Sequence, residues 1–123
     1  MYMTDRKRAQ GLGASGTGTE HHWNMTVTSY ALLILIPLFV FTTGLGIGLH
    51  YLEARAYFGR PFPAVVAGLT FVVGLIHFHQ GFRTLIEDYV HGHARVLTII
   101  GGICLSYALI GAALWAILRL ALI

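Results

Sequence analysis

Three stretches of this sequence contain no Asp, Glu, Lys or Arg, and they constrain the fold more than any other feature. Val27–Leu49, Ala64–Phe82 and Val96–Leu118 run for 23, 19 and 23 residues. A helix needs roughly 20 apolar residues to cross about 30 Å of hydrocarbon. Each window meets that length, and together they take up 65 of 123 residues. The first begins after 26 residues and is too long for the apolar segment of a signal peptide, so it reads as a membrane span. The expectation is therefore an all-α integral membrane bundle of three transmembrane helices, at about 27–50, 63–88 and 96–119. An N-terminal segment, 1–26, precedes the anchor domain, 27–123. The connectors, of 14 and 13 residues, are too short for a second domain.

Composition agrees with the windows. The chain is 56% hydrophobic and 11% charged, where a soluble domain has about a quarter charged residues. Its net charge of +3 comes from 8 basic and 5 acidic residues. So thin a charge gives no basic surface for nucleic acid. A single cysteine, Cys104, excludes an internal disulfide, a CxxC site and a covalently attached c-type haem. Arg6, Lys7, Arg8, Arg83 and Arg95 fall on the N-terminal side of the spans, and Arg55, Arg60 and Arg119 on the other. By the positive-inside rule the N-terminus faces the cytoplasm or its equivalent, and the C-terminus the other side.

Local residues punctuate the spans. Pro37 should kink the first modestly, and neighbouring helices can satisfy the freed carbonyl. Gly44, Gly46 and Gly48 form a candidate close-packing face near its far end. Pro61 and Pro63 suit the first turn of the second helix. Gly101, Gly102 and Gly111 thin the third, and Trp115 suits an interfacial anchor. Gly11–Thr19, with four Gly and two Thr, should be flexible or ordered only against a partner.

Depth sorts the seven histidines. His21, His22, His50, His91 and His93 flank the spans and read as polar interface residues, whereas His77 and His79 lie inside the second window. Ionisable groups at that depth are costly and face a bundle interior, a cofactor or a proton path. At about 100° per residue the two point to opposite faces. Thr70, Gly74, Gly81, Thr84 and Asp88 all fall within about 60° of His77, so it lies on a stripe of small residues that ends in a carboxylate. His79 shares its face with Arg83 and Ile86. Glycines three before and four after His77 leave room for a flat, bulky ligand. Haem b ligated by a neutral imidazole fits that pattern. A packed histidine bonded to a neighbouring helix's backbone is the alternative. Spans one and three contain no histidine in their interiors, so a six-coordinate haem would need its second ligand from another subunit.

The second helix ends in Glu87-Asp88-Tyr89-Val90-His91, and Asp88 stands about 16 Å beyond His77 along the axis. A tyrosine and a carboxylate are commonplace at a membrane interface. They also suit a quinone pocket: a phenol donates to a quinone carbonyl, and a carboxylate orients or polarises the phenol.

His77-x-x-x-Gly81 followed by Asp88-Tyr89 resembles the small cytochrome b membrane-anchor subunit of succinate dehydrogenase (respiratory complex II). Gly18-Thr19-Glu20-His21-His22-Trp23 leading into an apolar helix, and the three-helix plan, resemble its bacterial form. The resemblance covers nearly the whole chain. It implies that His77 is an axial ligand of haem b, with the second ligand from the larger cytochrome b anchor subunit. It implies that Tyr89 hydrogen-bonds a ubiquinone carbonyl beside the supporting carboxylate of Asp88. The implied partners are that larger anchor, the iron–sulfur subunit and the flavoprotein subunit, with succinate oxidation on the soluble subunits. One departure is Thr26, which stands where family members often carry an arginine near a haem propionate. Two other functions remain open at this point: the anchor of a fumarate reductase, and a haem-free transporter or channel subunit using His77 and His79 as relay groups.

Overall fold

The computed structural model describes residues 2–11 and 18–123, and among these the only regular secondary structure is helical. A short α1, Asp5–Gln10, opens on Thr4, whose hydroxyl accepts from the Lys7 amide at 3.1 Å. Three long helices follow, α2 (Gly18–Gly46), α4 (Pro61–Tyr89) and α5 (His93–Leu122), with a short α3 (Tyr51–Phe58) between the first two. Each long helix is apolar and long enough to cross a membrane, as the three windows require.

The helices outrun the windows. α2 starts nine residues before Val27, since Thr19–Asn24, mostly polar, are helix-compatible and Glu20 sits favourably in the first turn. It continues as helix through Pro37 and ends at Gly46, short of the expected 50. Gly48 takes a positive φ of 89°, a left-handed conformation that costs glycine nothing, and the chain turns there. The supposed packing face of Gly44, Gly46 and Gly48 is therefore reduced to Gly46, which lies against the Phe58 and Tyr57 rings; among the described residues nothing approaches Gly44 or Gly48. α4 begins with Pro61 in its first turn, and α5 follows a turn at Gly92. Of the segment Gly11–Thr19, residues 12–17 lie outside the described residues, while Gly18 and Thr19 are already helical.

α4 is the middle helix. It packs against α2 on one side and α5 on the other, and the backbones of α2 and α5 do not approach closely among the described residues. Pairs along the first interface fix its register: His21 with Thr84, Met25 with Gly81, Thr28 with His77, Leu32 with Gly74, Phe39 with Phe71. As α2 advances α4 recedes, so the two are antiparallel. The α4–α5 interface is closed by Phe82, whose ring lies where a side chain on Gly102 would have to go.

What is buried is small. Val66, Thr70 and Ser106 lie between helices, and the hydroxyls of Thr70 and Ser106 donate to backbone carbonyls of their own helices at 2.6 and 2.8 Å. Large apolar side chains such as Leu33, Phe41, Leu105 and Trp115 point outward. In lipid the hydrophobic effect does not drive helices together, so close approach of small residues does. α3 seals the far end: the Tyr57 hydroxyl donates to the Thr42 carbonyl at 2.6 Å, and Gly59 abuts the Leu120 carbonyl.

Candidate functional site

All three residues singled out at the level of sequence lie on α4, continuous from His77 to Tyr89. The His77 face points at α2. Its Nδ1 is 2.9 Å from the Thr28 hydroxyl, and Thr28 Oγ1 also lies 3.0 Å from the carbonyls of both Asn24 and Met25. Below His77, a Cβ on Gly74 would meet Leu32 at 3.8 Å; above it, one on Gly81 would meet Met25 at 3.8 Å. One turn further on, Thr84 lies 3.4 Å from His21 Nε2 and donates to the Gln80 carbonyl. The two glycines therefore admit α2 at van der Waals distance. The space they clear is shared with that helix, a use of the stripe that helical spacing alone did not distinguish from ligand room.

His79 faces the other way, as its angular position requires. Its ring lies 5.7 Å from that of Tyr107 on α5, and its Nε2 is enclosed without a hydrogen-bond partner among the described residues. Gln80 Oε1 and Arg95 Nε share that condition. Arg95 Nη2 donates to the Glu87 carbonyl at the α4–α5 turn.

At the end of α4, Asp88 is exposed and Tyr89 is 77% exposed, with its phenol projecting from the chain. No hydrogen bond joins them among the described residues, so the chain alone does not set a carboxylate against this phenol. The ion pair in this turn is Arg83 with Glu87, at 2.9 Å. The Tyr89 hydroxyl thus has no partner among the described residues and can donate and accept at the helix end, about 18 Å along the axis from His77.

The remaining histidines are peripheral to the helix interfaces. His22 is exposed and its carbonyl accepts from Thr26, His50 precedes α3, and His91 and His93 flank the turn into α5. Thr26 spends its hydroxyl on its own helix, at 2.9 Å, and brings no charge to a propionate.

A haem iron asks for a neutral imidazole with one nitrogen carrying a free lone pair and the other held in place. His77 meets that requirement. Nδ1 is tied to Thr28, and Nε2 makes no hydrogen bond among the described residues. No three His, Cys, Asp or Glu gather into a group that could hold a metal ion among the described residues. Sequence reasoning missed Thr28 as part of the site, along with the His79–Tyr107 pair. The signal for Thr28 lay in the small residues of α4 recurring every three or four positions, which mark a helix neighbour as readily as a ligand.

Comparison with known proteins bears on the arrangement. Residues 2–112 match the family described as the succinate dehydrogenase/fumarate reductase transmembrane subunit. The chain is 46% identical over 121 residues to the succinate dehydrogenase hydrophobic membrane anchor subunit of Paracoccus denitrificans, covering 98% of this chain and 94% of that protein. No solved structure matches.

Proposed function

This chain belongs to the succinate dehydrogenase/fumarate reductase transmembrane subunits, and we propose that beyond anchoring the enzyme it holds one face of a haem b and contributes to a ubiquinone-reduction site. The observation that carries this reading is His77, an imidazole within the span whose Nδ1 is held by Thr28 and whose Nε2 makes no hydrogen bond among the described residues. His79 points to α5 and His21 sits at Thr84, so neither stands beside it. A second ligand to the haem would come from the larger cytochrome b anchor, which would make this chain half of a shared membrane domain. A bound haem b would supply one-electron storage between the iron–sulfur subunit and quinone.

Within this chain, His77 presents its Nε2 inside the span, and α4 runs on as one helix to the interface. There Tyr89 donates its phenolic hydrogen to a quinone carbonyl, and Asp88 is the adjacent carboxylate at the aqueous edge. Quinone reduction consumes two protons, so a site at the meeting of lipid and water suits it. The flavoprotein and iron–sulfur subunits dock on the cytoplasmic side, where the N-terminal segment 1–26 and the end of α4 lie, in the inner membrane of a bacterium. The Asp88-Tyr89 pair favours the succinate-oxidising, ubiquinone-linked branch over a fumarate reductase; the head group extracted from the purified complex distinguishes them.

The test is a reduced-minus-oxidised optical spectrum of the assembled complex. Wild type should show a b-type haem, and His77→Ala should abolish it while the soluble subunits still oxidise succinate with an artificial acceptor. A haem signal unchanged in His77→Ala refutes the assignment.

A further inference from the structure

Thr28 does more than pack against His77. Its Oγ1 sits 3.0 Å from the carbonyls of Asn24 and Met25, four and three residues back, and 2.9 Å from His77 Nδ1. A hydroxyl has one hydrogen and two lone pairs. Helical threonines commonly give that hydrogen to the carbonyl one turn back, and here two carbonyls compete for it. The lone pairs are then what remains for the imidazole, so Nδ1 must be the donor. A neutral imidazole protonated on Nδ1 carries its lone pair on Nε2.

Resting on the haem reading above, we infer that Thr28 is a positioning residue: by accepting from Nδ1–H it selects the His77 tautomer and orientation that turn Nε2 toward the iron. In metal sites the group that accepts from a ligating histidine's other nitrogen orients the ring and raises its basicity, and losing it costs about 10–100-fold in metal affinity or activity. Here that group is a side chain of α2, so the fit of α2 against α4 at Gly74 and Gly81 is part of the haem site. A more basic axial imidazole favours ferric iron, so this hydrogen bond lowers the haem's reduction potential.

The test uses the intact complex carrying Thr28→Val, which replaces the hydroxyl by a methyl of similar size, with Thr28→Ser and Ser29→Ala beside it. Ser29 is also bonded back along α2, to the Met25 carbonyl at 2.7 Å, but makes no hydrogen bond with His77. Thr28→Val should raise the haem midpoint potential, alter the low-spin electron paramagnetic resonance signal, and weaken haem retention by about 10–100-fold on detergent washing. Thr28→Ser should behave as wild type, as should Ser29→Ala. Should Thr28→Val fail to assemble, Thr28→Ala carries the same expectation with less bulk. An unchanged potential and retention in the Val or Ala variant overturns the inference, as does a Ser variant shifted as far as Val. If His77→Ala removes the haem while Thr28→Val leaves it untouched, only the role of Thr28 falls. If His77→Ala keeps the haem, the haem assignment falls with it.

Discussion

Tyr89→Phe separates the quinone reading from an interfacial tyrosine of no special use. The side chain is 77% exposed at the last turn of α4, and its hydroxyl has no partner among the described residues. Removing an oxygen there leaves no buried group unsatisfied, so the folding cost should lie within about 0.5 kcal/mol. The complex should assemble with an unchanged haem spectrum. If the phenol donates to a quinone carbonyl, the variant loses one neutral hydrogen bond, a net contribution of about 0.5–1.5 kcal/mol. At about 1.4 kcal/mol per tenfold, succinate:quinone turnover efficiency should fall by about 2- to 12-fold. Dye-linked succinate oxidation, which bypasses the membrane site, should persist. The assay is paired kinetics on one preparation, with ubiquinone analogue and dye as alternative acceptors. Equal quinone kinetics in variant and wild type remove Tyr89 from the mechanism. A parallel loss of dye activity would trace the defect to assembly instead, which its exposure argues against.

Two further predictions probe how the far end of the anchor is sealed. Gly59→Ala would drive a methyl into the backbone carbonyl of Leu120, and backbone cannot swing aside as a ring can; overpacking of this kind costs about 1–3 kcal/mol, read as a lower Tm of the solubilised complex. Tyr57→Phe removes the donor to the Thr42 carbonyl, and the same measurement should report a loss of about 1 kcal/mol. Neither should alter the haem spectrum, since both precede α4, whose first residue is 16 residues of helix, about 24 Å, from His77.

How much of this is legible in the sequence follows from what lipid demands. A span must satisfy all its backbone groups internally, so three charge-free windows could only be helices, and they are. Their ends are harder to read. Charge-free residues continue through Leu49, but the helix stops at Gly46 because the chain turns at Gly48, and hydropathy does not register a change of φ. α3 is hidden because Glu53 and Arg55 give its eight residues the look of a connector. The opposite facing of His77 and His79 is readable, since 3.6 residues per turn fixes it whatever surrounds the helix.

The partner of His77 is not readable, and the reason is physical. Thr28 lies 49 residues away, and its proximity depends on the register of two antiparallel helices that neither periodicity nor charge specifies. Room for a ligand and contact with a helix also leave the same mark in a sequence, small residues every three or four positions. Gly74, Gly81 and Thr84 meet Leu32, Met25 and His21, so the stripe first of all seats α2. That seating brings Thr28 within 2.9 Å of the imidazole; a Cβ at either glycine would still meet α2 at 3.8 Å, an ordinary contact, so only a side chain larger than alanine would press α2 away. Packing and ligation at His77 are therefore not rival explanations of the stripe. The close approach of α2 is what gives the imidazole a fixed hydrogen-bond partner on one nitrogen and leaves the other available.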